Sequence, residues 1–339
     1  MPEVTTILLW SVVVFALAFD FINGFHDSAN AIATSVLTRA LSMRNAVIFA
    51  AALNFIGAIL WTGVAKTIGK GIVDPSLVSG ISGQVIVLAT VVAAIIWNLV
   101  TWWLGLPSSS SHALIGGLVG SGLAAGGAKV LTLHDPDGIP KVVKALIFSP
   151  LFGFFGGLVL MVIIMNIFAH QAPSKLNRHF RWMQIVSAGS MAFAHGSNDA
   201  QKSMGIITMA LVVGGQLHSV EVPMWVKIAC AAAMAAGTAS GGWRIIKTVG
   251  KKIMGLQPVH GFASEAAASL VVLGATHLNV PVSTTHVISS SIMGVGAAKR
   301  LSAIRWGIVG QILLAWMMTL PVCAILGAAC YMGLHAMLK

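Results

Sequence analysis

The sequence is poor in charged residues, and this scarcity excludes an ordinary soluble globular protein. Only 9% of its 339 residues are Asp, Glu, Lys or Arg, whereas soluble domains carry about 25%. Hydrophobic residues make up 57% of the chain, and the mean hydropathy is +0.90. No long hydrophilic interval separates the apolar stretches, so we expect no separate soluble domain. The chain is expected to lie in a lipid bilayer.

Cysteine is also scarce and indicates neither a disulfide framework nor a metal site. Cys230, Cys323 and Cys330 form no CxxC pair and stand in apolar segments, where we expect small apolar fillers. No cofactor is expected. The first apolar run follows no basic region or cleavage site, and we interpret it as uncleaved. The net charge of +11 belongs to short loops and does not predict nucleic acid binding.

Apolar segments long enough for a bilayer follow one another from end to end. They predict an all-α polytopic membrane protein with about 10–12 membrane segments. Two halves of five segments each, 1–170 and 182–339, are joined by a short cytoplasmic linker at 171–181. The segments are 5–36, 44–66, 83–106, 109–128, 144–169, 182–214, 223–247, 262–279, 283–298 and 303–336.

Both halves show the same unusual features. The first segment of each half is too long for one straight crossing and has glycine and polar residues near its middle, which predicts a broken helix. The third and fourth segments are separated only by 106–108 in one half and 279–282 in the other, which predicts two re-entrant or paired-helix hairpins. A hairpin contributes an even number of crossings, so the halves are expected to be inverted repeats.

The distribution of basic residues predicts the orientation. The loops 39–44, 170–181, 244–252 and 299–305 contain Lys and Arg but no Asp or Glu. Because such loops remain in the cytoplasm, we expect the N-terminus to lie outside.

Two polar motifs interrupt the apolar pattern, and each occurs once in each half. The first reads FINGFHDSAN at 21–30 and FAHGSNDAQK at 193–202, with copies 172 residues apart. The second reads PSSSSH at 107–112 and PVSTTH at 281–286, with copies 174 residues apart. The same order at nearly the same spacing indicates a duplication.

Polar residues form one stripe of the first segment. Their spacings of 3 and 4 place them on one face of a helix. A carboxylate at membrane depth is costly unless it faces a partner or a water-filled cavity, so it indicates function. Interhelical hydrogen bonding is the alternative, but the duplication of Asp27 as Asp199 favours function. The stripe consists of Asp20, Asn23, Asp27, Asn30 and Thr34.

The second motif places hydroxyl groups at the start of a helix. Pro107 and Pro281 suit a first helical turn and end the preceding helix. A helix start offers unpaired N–H groups and a positive dipole end, which together with hydroxyls can cradle an anion. Discontinuous helices that meet inside a membrane are where transporters bind substrates. The sequence therefore predicts transport of a small inorganic anion, with simple capping as the alternative. The candidate anion ligands are Ser109, Ser110, Ser111, Ser283, Thr284 and Thr285.

Glu265 breaks the symmetry of the halves, because the position 174 residues earlier is Val91. It is a candidate proton carrier. The alternative is that its side chain is solvated at the base of the hairpin. Asp20 and Asn23 are accessory candidates. We assign no metal to the histidines of the motifs, which are His26, His112, His195 and His286.

These motifs resemble the duplicated signature of the PiT inorganic phosphate transporter family. GFHDSANA at 24–31 and GSND at 196–199 carry the resemblance, and PVSTTH at 281–286 resembles the second hairpin of the family. The chain looks closest to the bacterial low-affinity Pit branch. The resemblance implies secondary active import of inorganic phosphate by cation symport across the bacterial inner (plasma) membrane. It also implies inverted repeats and, commonly, a homodimer.

Residue roles follow from this resemblance. The hydroxyl residues of the hairpins would contact phosphate. Lys202 stands where sodium-coupled members tend to have Asn, and its ammonium can present to phosphate the charge that sodium would bring. We therefore favour proton coupling. The bacterial branch also suggests transport of a complex between phosphate and a divalent metal. The coupling ion would be bound by Asp27, Asn30, Asn198 and Asp199.

Several alternatives stay open at this point. Sodium-coupled phosphate symport and sulfate transport share the fold. An intramembrane hydrolase would combine a serine of 108–111, His112 and an aspartate, but adjacent Ser111 and His112 cannot share a helix face. Duplication also favours transport over catalysis. A passive channel is disfavoured because buried carboxylates would bind a cation. We therefore expect a transporter and not an enzyme.

Overall fold

The computed structural model describes residues 2–74, 76–78, 80–241, 245–246, 248 and 253–338. In this part of the chain the secondary structure is helical, apart from one isolated bridge between Val73 and Leu131. The all-α prediction is confirmed. The α-helices are α1 (Pro2–Leu37), α2 (Met43–Leu60), α3 (Gly63–Lys70), α4 (Gly80–Leu104), α5 (Ser110–Gly126), α6 (Ile139–Ile167), α7 (Pro173–Val213), α8 (Met224–Ser240), α9 (Pro258–His277), α10 (Thr284–Lys299) and α11 (Trp306–Met337).

Within the described ranges, 7 helices are long and apolar enough to cross a membrane. They are α1, α2, α4, α5 with its following 3-10 turn, α6, α9 and α11. The chain is thus a multi-pass membrane protein. Helix α8 is apolar but shorter, with 17 residues, and α10 has 16 residues.

The predicted breaks in the first segment of each half are wrong. Helix α1 has 36 residues and α7 has 41, and each is continuous through its polar motif. At 1.5 Å per residue they are about 54 and 62 Å long, well beyond the roughly 30 Å hydrocarbon core.

The motif glycines do not break these helices but allow close contacts with their neighbours. A Cβ on Gly24 would lie 2.3 Å from the Met234 carbonyl oxygen, and one on Gly196 would lie 2.1 Å from that of Asn54. Glycine therefore lets α1 approach α8 and lets α7 approach α2. Its role in both copies of the first motif is close packing.

A break does occur in the segment predicted at 44–66, where α2 ends at Leu60 and α3 begins at Gly63. The side-chain Oε1 of Gln201 accepts hydrogen bonds from the backbone N–H groups of Val64 at 2.9 Å and Ala65 at 3.3 Å. Gln201, in the second copy of the first motif, thus supports the broken end with an acceptor from α7.

Both predicted helix pairs are present. Hairpin 1 comprises α4, the connection 105–109 and α5, and hairpin 2 comprises α9, the connection 278–283 and α10. Ser109 and Ser283 are the N-caps of α5 and α10, as expected, and their hydroxyls accept from the N–H groups of His112 and His286.

The segment between the halves is largely helical, because α7 already begins at Pro173. Only a short turn separates α6 from α7, so most of the predicted linker 171–181 belongs to a helix. The basic loop 244–252 lies mainly outside the described residues, including Arg244, Lys247, Lys251 and Lys252.

Candidate functional site

The polar stripe of α1 is fully buried. Each of its members is at most 1% exposed, although the helix is otherwise apolar. The stripe faces α7, α9 and α10, as its hydrogen bonds to Ser203, Glu265 and Thr285 show. The buried members are Asp20, Asn23, Asp27, Asn30 and Thr34.

Charged side chains from α1 and α7 meet at the centre of the molecule. One ligand atom each of Asp27, His195 and Asp199 lies within 4.8 Å of the others. Lys202 Nζ is 2.8 Å from Asp199 Oδ1, and His26 Nδ1 is 2.7 Å from Asp27 Oδ1. We call Asp27, His195, Asp199 and Lys202 the central cluster. Because it is buried, its charges must be compensated by one another or by a ligand.

Hairpin 2 binds directly to this cluster. The Thr284 hydroxyl donates to Asp199 Oδ2 at 3.1 Å, and the Asn30 amide donates to the Thr285 hydroxyl at 2.8 Å. The Asn198 Oδ1 accepts from the Val282 N–H at 3.3 Å, and its Nδ2 donates to the Thr276 hydroxyl at 3.0 Å. Asn198 thus holds the hairpin connection, whereas Thr284 and Thr285 contact the predicted ion ligands.

The connections of the two hairpins meet each other. The Ser111 hydroxyl donates to the Val282 carbonyl at 2.8 Å, and the rings of His112 and His286 are 4.6 Å apart. Trp316 stacks on His286 with ring centroids 3.8 Å apart and donates its Nε1–H to the Pro107 carbonyl at 3.0 Å. Trp316 therefore contacts both hairpins.

The hydroxyl groups predicted to bind an anion differ in their availability. The Ser109 hydroxyl is engaged with the N–H and the Nδ1 of His112, at 3.1 and 2.7 Å. Ser283 also serves as a cap, with its oxygen 3.2 Å from the His286 nitrogen. Ser110 is buried and lies one position into α5. The structure brings all these residues near one junction but uses Ser109 and Ser283 to build it.

Several buried polar atoms of the site have no hydrogen-bond partner among the described residues. A buried polar atom left in this way costs about 1–3 kcal/mol, so these atoms indicate a place where ligands bind. Most are carboxylate or amide oxygens, which suit protons and hard cations. They are Asp20 Oδ2, Asn23 Oδ1 and Nδ2, Asp27 Oδ2, Asn30 Oδ1 and His286 Nε2.

Asp20 is at one end of the α1 stripe, and Glu265 of α9 bonds to Thr34 at the other end. Both lie outside the central cluster. Glu265 is fully buried and accepts hydrogen bonds from the hydroxyls of Thr34 and, at 2.5 Å, Ser187. The alternative, a side chain solvated at the base of the hairpin, is therefore wrong. Asp20 accepts from the Ser203 hydroxyl at 2.7 Å. Asp27 is seven residues, or about 10.5 Å of helix, from each end of the α1 stripe, at Asp20 and Thr34.

Sequence reasoning missed the contributions of two histidines and a tryptophan. His195 belongs to the central cluster. Trp316, in α11, is far along the sequence from every motif, although it stacks on His286. His26 also links Asp27 to the Thr101 hydroxyl, which is 3.1 Å from its Nε2. The only available signal was the position of both histidines inside the duplicated motif.

A serine–histidine pair does form, between Ser109 and His112, three residues apart. The described hydrogen bonds and ion pairs of His112 include no carboxylate. The pair caps a helix and lacks the third member of a hydrolase triad.

Comparison with known proteins agrees with this arrangement. The model of the phosphate transporter family matches residues 23–179 and again residues 168–327. A probable low-affinity inorganic phosphate transporter of Bacillus subtilis is 51% identical over 98% of this chain and 99% of its own length. One from Rhizobium meliloti is 48% identical over 96% of both chains.

A solved structure described as the sodium-dependent phosphate transporter has a similar fold. It matches with a TM-score of 0.85 and 25% identity, covering 97% of this chain and 99% of that chain. The predictions of an all-α polytopic membrane fold, of the family, and of a transporter instead of an enzyme are confirmed. By its sequence and its fold, the chain belongs to the phosphate transporter family.

Proposed function

We propose that this protein imports inorganic phosphate by secondary active transport, binding the anion where the two hairpins meet the central cluster. The observation that carries the proposal is the direct bonding of Thr284 to Asp199 and of Asn30 to Thr285. The candidate phosphate ligands and the candidate coupling-ion ligands thereby form one site. Binding at one is expected to change the geometry of the other, as symport requires.

Lys202 supports coupling to protons. Its ammonium lies 2.8 Å from Asp199, where it supplies a fixed positive charge beside the hairpin 2 hydroxyls. A sodium ion bound at this carboxylate would compete with that ammonium. A proton needs no coordination shell and is compatible with it. The same ammonium is also positioned to attract the phosphate.

Glu265 is the proposed proton carrier. Its carboxyl is fully buried, and its hydrogen bonds come from hydroxyl groups of α1 and α7, not from a cation. A buried carboxyl with neutral partners is stable when protonated and costly when charged. Its partner Thr34 lies on the same stripe of α1 as Asp27, about 10.5 Å along the helix.

A divalent metal that travels with phosphate is a further part of the proposal. Asp27, His195 and Asp199 have ligand atoms close enough together to hold one ion. Unlike a lone sodium ion, a metal that arrives bound to phosphate brings negative charge with it, which offsets its repulsion by the Lys202 ammonium. In this scheme the metal is transported with the anion and does not reside in the protein.

We also propose that the two halves are inverted and that the protein lies in a bacterial inner membrane. The basic loops support an N-terminus outside. A homodimer is proposed from the family resemblance alone.

Uptake by the purified chain in vesicles tests this function. Labelled phosphate should accumulate with a proton gradient, without sodium, and excess sulfate should compete poorly. Magnesium should be varied separately to test the metal complex. Uptake that required sodium and ignored pH would overturn proton coupling, and absence of phosphate counterflow would overturn phosphate transport itself.

Exchanging the fixed charge gives a sharper test. In Lys202→Asn, Asp199 loses its ion pair with the ammonium, so we expect proton-driven uptake to fall by a factor of about ten or more. Sodium should partly restore it by occupying the vacated position. Lys202→Arg keeps the charge and is the matched control. Unchanged uptake in Lys202→Asn would show that the ammonium has no part in coupling.

A further inference from the structure

A large groove opens on the surface between α6 and α9, away from the central cluster. Its volume is about 1160 Å³, and its apolar wall includes Phe148, Phe152 and Phe155 of α6 and Leu270 of α9. Gly274 of α9 lines the groove and is exposed, and a Cβ on it would meet no atom within 4 Å. The space therefore suits an apolar occupant larger than most small-molecule ligands.

The corresponding helices of the other half, α4 and α11, are bridged by hydrogen bonds. There Trp97 of α4 donates its Nε1–H to the Thr319 hydroxyl of α11 at 3.1 Å, and Tyr331 bonds to Ser82 at 2.9 Å. Val271 is the residue 174 positions after Trp97, and it lines the groove. Valine cannot donate a hydrogen bond across to α6, so the bridge between α4 and α11 has no counterpart at this position.

A buried hydroxyl points to a ligand in the groove. Ser149 lines it, is 3% exposed, and has no hydrogen-bond partner for its Oγ among the described residues. It directly precedes Pro150 in α6, much as Thr319 lies two positions before Pro321 in α11. Thr319 has Trp97 as its donor, whereas Ser149 faces the space that valine leaves. An occupant with a polar atom at this depth would satisfy it.

Positive charge lies at the end of the groove near the start of α6. Lys141, Lys144 and Asp137 all line it, so two positive charges face one negative charge. Lys141 is paired with Asp137 at 3.2 Å, whereas Lys144 has no ion-pair partner in the described part of the chain. Along α6, Lys144 lies about 7.5 Å before Ser149. Ile163, which also lines the groove, lies about 21 Å after Ser149.

From this order of charge, hydroxyl and apolar wall, we infer that the groove binds one anionic glycerophospholipid. Its phosphate would contact Lys144, its ester oxygens would accept from Ser149, and an acyl chain would lie along the phenylalanines. Basic pockets between membrane helices recognise lipid head groups in this way. A second copy of the chain fits less well, because the sequence has only 9 acidic residues to face the lysines.

The occupant would also touch the transport machinery. Val280 and Val282, in the connection of hairpin 2, line the same groove and are bonded through their backbone to Asn198. A lipid here would therefore support the hairpin from the membrane side.

Native mass spectrometry of the full chain, with equal amounts of phosphatidylglycerol and phosphatidylethanolamine, tests the proposal. We expect one retained phosphatidylglycerol, favoured about fivefold over phosphatidylethanolamine. Lys144→Glu should remove the preference and Lys144→Arg should keep it. Gly274→Leu should reduce retention of both lipids by filling the groove. Gly310→Leu, on an exposed face of α11 with no atom within 4 Å of a Cβ, is the matched control.

Equal retention of the two lipids by the unaltered chain would overturn the proposal, as would full retention in Gly274→Leu. If Gly274→Leu instead converts a dimer into monomers without changing lipid retention, the groove is an interface between copies and the lipid site is wrong. The measurement uses no phosphate, so its failure would leave the proposed transport function untouched.

Discussion

At the scale of the residue, the site is a set of mutually dependent buried groups. Lys202 and Asp199 form a close pair, and Asp27 is joined to His26. Removing one member of a buried ion pair costs about 3–5 kcal/mol because the other charge is left uncompensated. Informative variants therefore preserve shape and alter only the ability to carry charge or a proton.

Glu265→Gln is such a variant. The amide keeps the size of the carboxyl and can still bond to the hydroxyls of Thr34 and Ser187, but it cannot release a proton. We expect proton-driven accumulation of phosphate to fall to background, while counterflow exchange of labelled phosphate in vesicles at equal pH persists.

Glu221→Gln, which changes an exposed glutamate in the loop before α8, is the control. Loss of both activities in Glu265→Gln with an unchanged melting temperature would mean that Glu265 is part of the substrate site. Full accumulation would mean that it carries no proton.

At the scale of the element, the two hairpins are joined where their helices start. Trp316 is important for this junction because it stacks on His286 of hairpin 2 and bonds to Pro107 of hairpin 1. Movement of one hairpin relative to the other must change these contacts.

Trp316→Phe keeps a ring over His286 but removes the hydrogen bond to Pro107. We expect a loss of about 1 kcal/mol of stability, seen as a small decrease in melting temperature, together with a changed rate of phosphate uptake. Trp97→Phe loses an equivalent bond, to Thr319, away from the hairpin connections. It should lower stability similarly and leave uptake unaltered; equal effects on uptake would contradict the role of the junction.

The close contact between α1 and α8 gives another prediction for an element. In Gly24→Ala the added methyl group would lie 2.3 Å from the Met234 carbonyl oxygen, so the helices must separate. We expect a decrease in melting temperature equivalent to about 1–3 kcal/mol. Gly333→Ala, where a Cβ meets nothing within 4 Å, should keep or raise stability because alanine favours helix. Equal melting temperatures would mean that Gly24 is not needed for close packing.

At the scale of the whole molecule, the orientation can be measured by chemical labelling. Asp135 and Arg178 are exposed and lie in segments assigned to opposite sides of the membrane. With the partly exposed Cys330 replaced by serine, an impermeant maleimide should label Asp135→Cys on intact cells. It should label Arg178→Cys only after permeabilisation. The reverse pattern would invert the proposed topology.

Much of the architecture follows from the sequence alone. Scarcity of charge and recurring apolar segments require a membrane protein, since water would not solvate such a surface. The spacing of Asp20, Asn23, Asp27, Asn30 and Thr34 places them on one face because the helical period is 3.6 residues. Ser109 and Ser283 cap their helices because local chemistry decides capping.

Only the tertiary structure decided what depends on distant atoms. Gly24 and Gly196 looked like break points, but Met234 and Asn54 fill the space beside them, and the helices remain whole. The partners of His195 and Glu265 come from other helices, which no local pattern specifies. The sequence by itself determined which polar groups must be buried, because their helical spacing places them on one face and a bilayer does not solvate that face. The packing of distant helices determined which groups meet, because contact depends on three-dimensional distance and not on position along the chain.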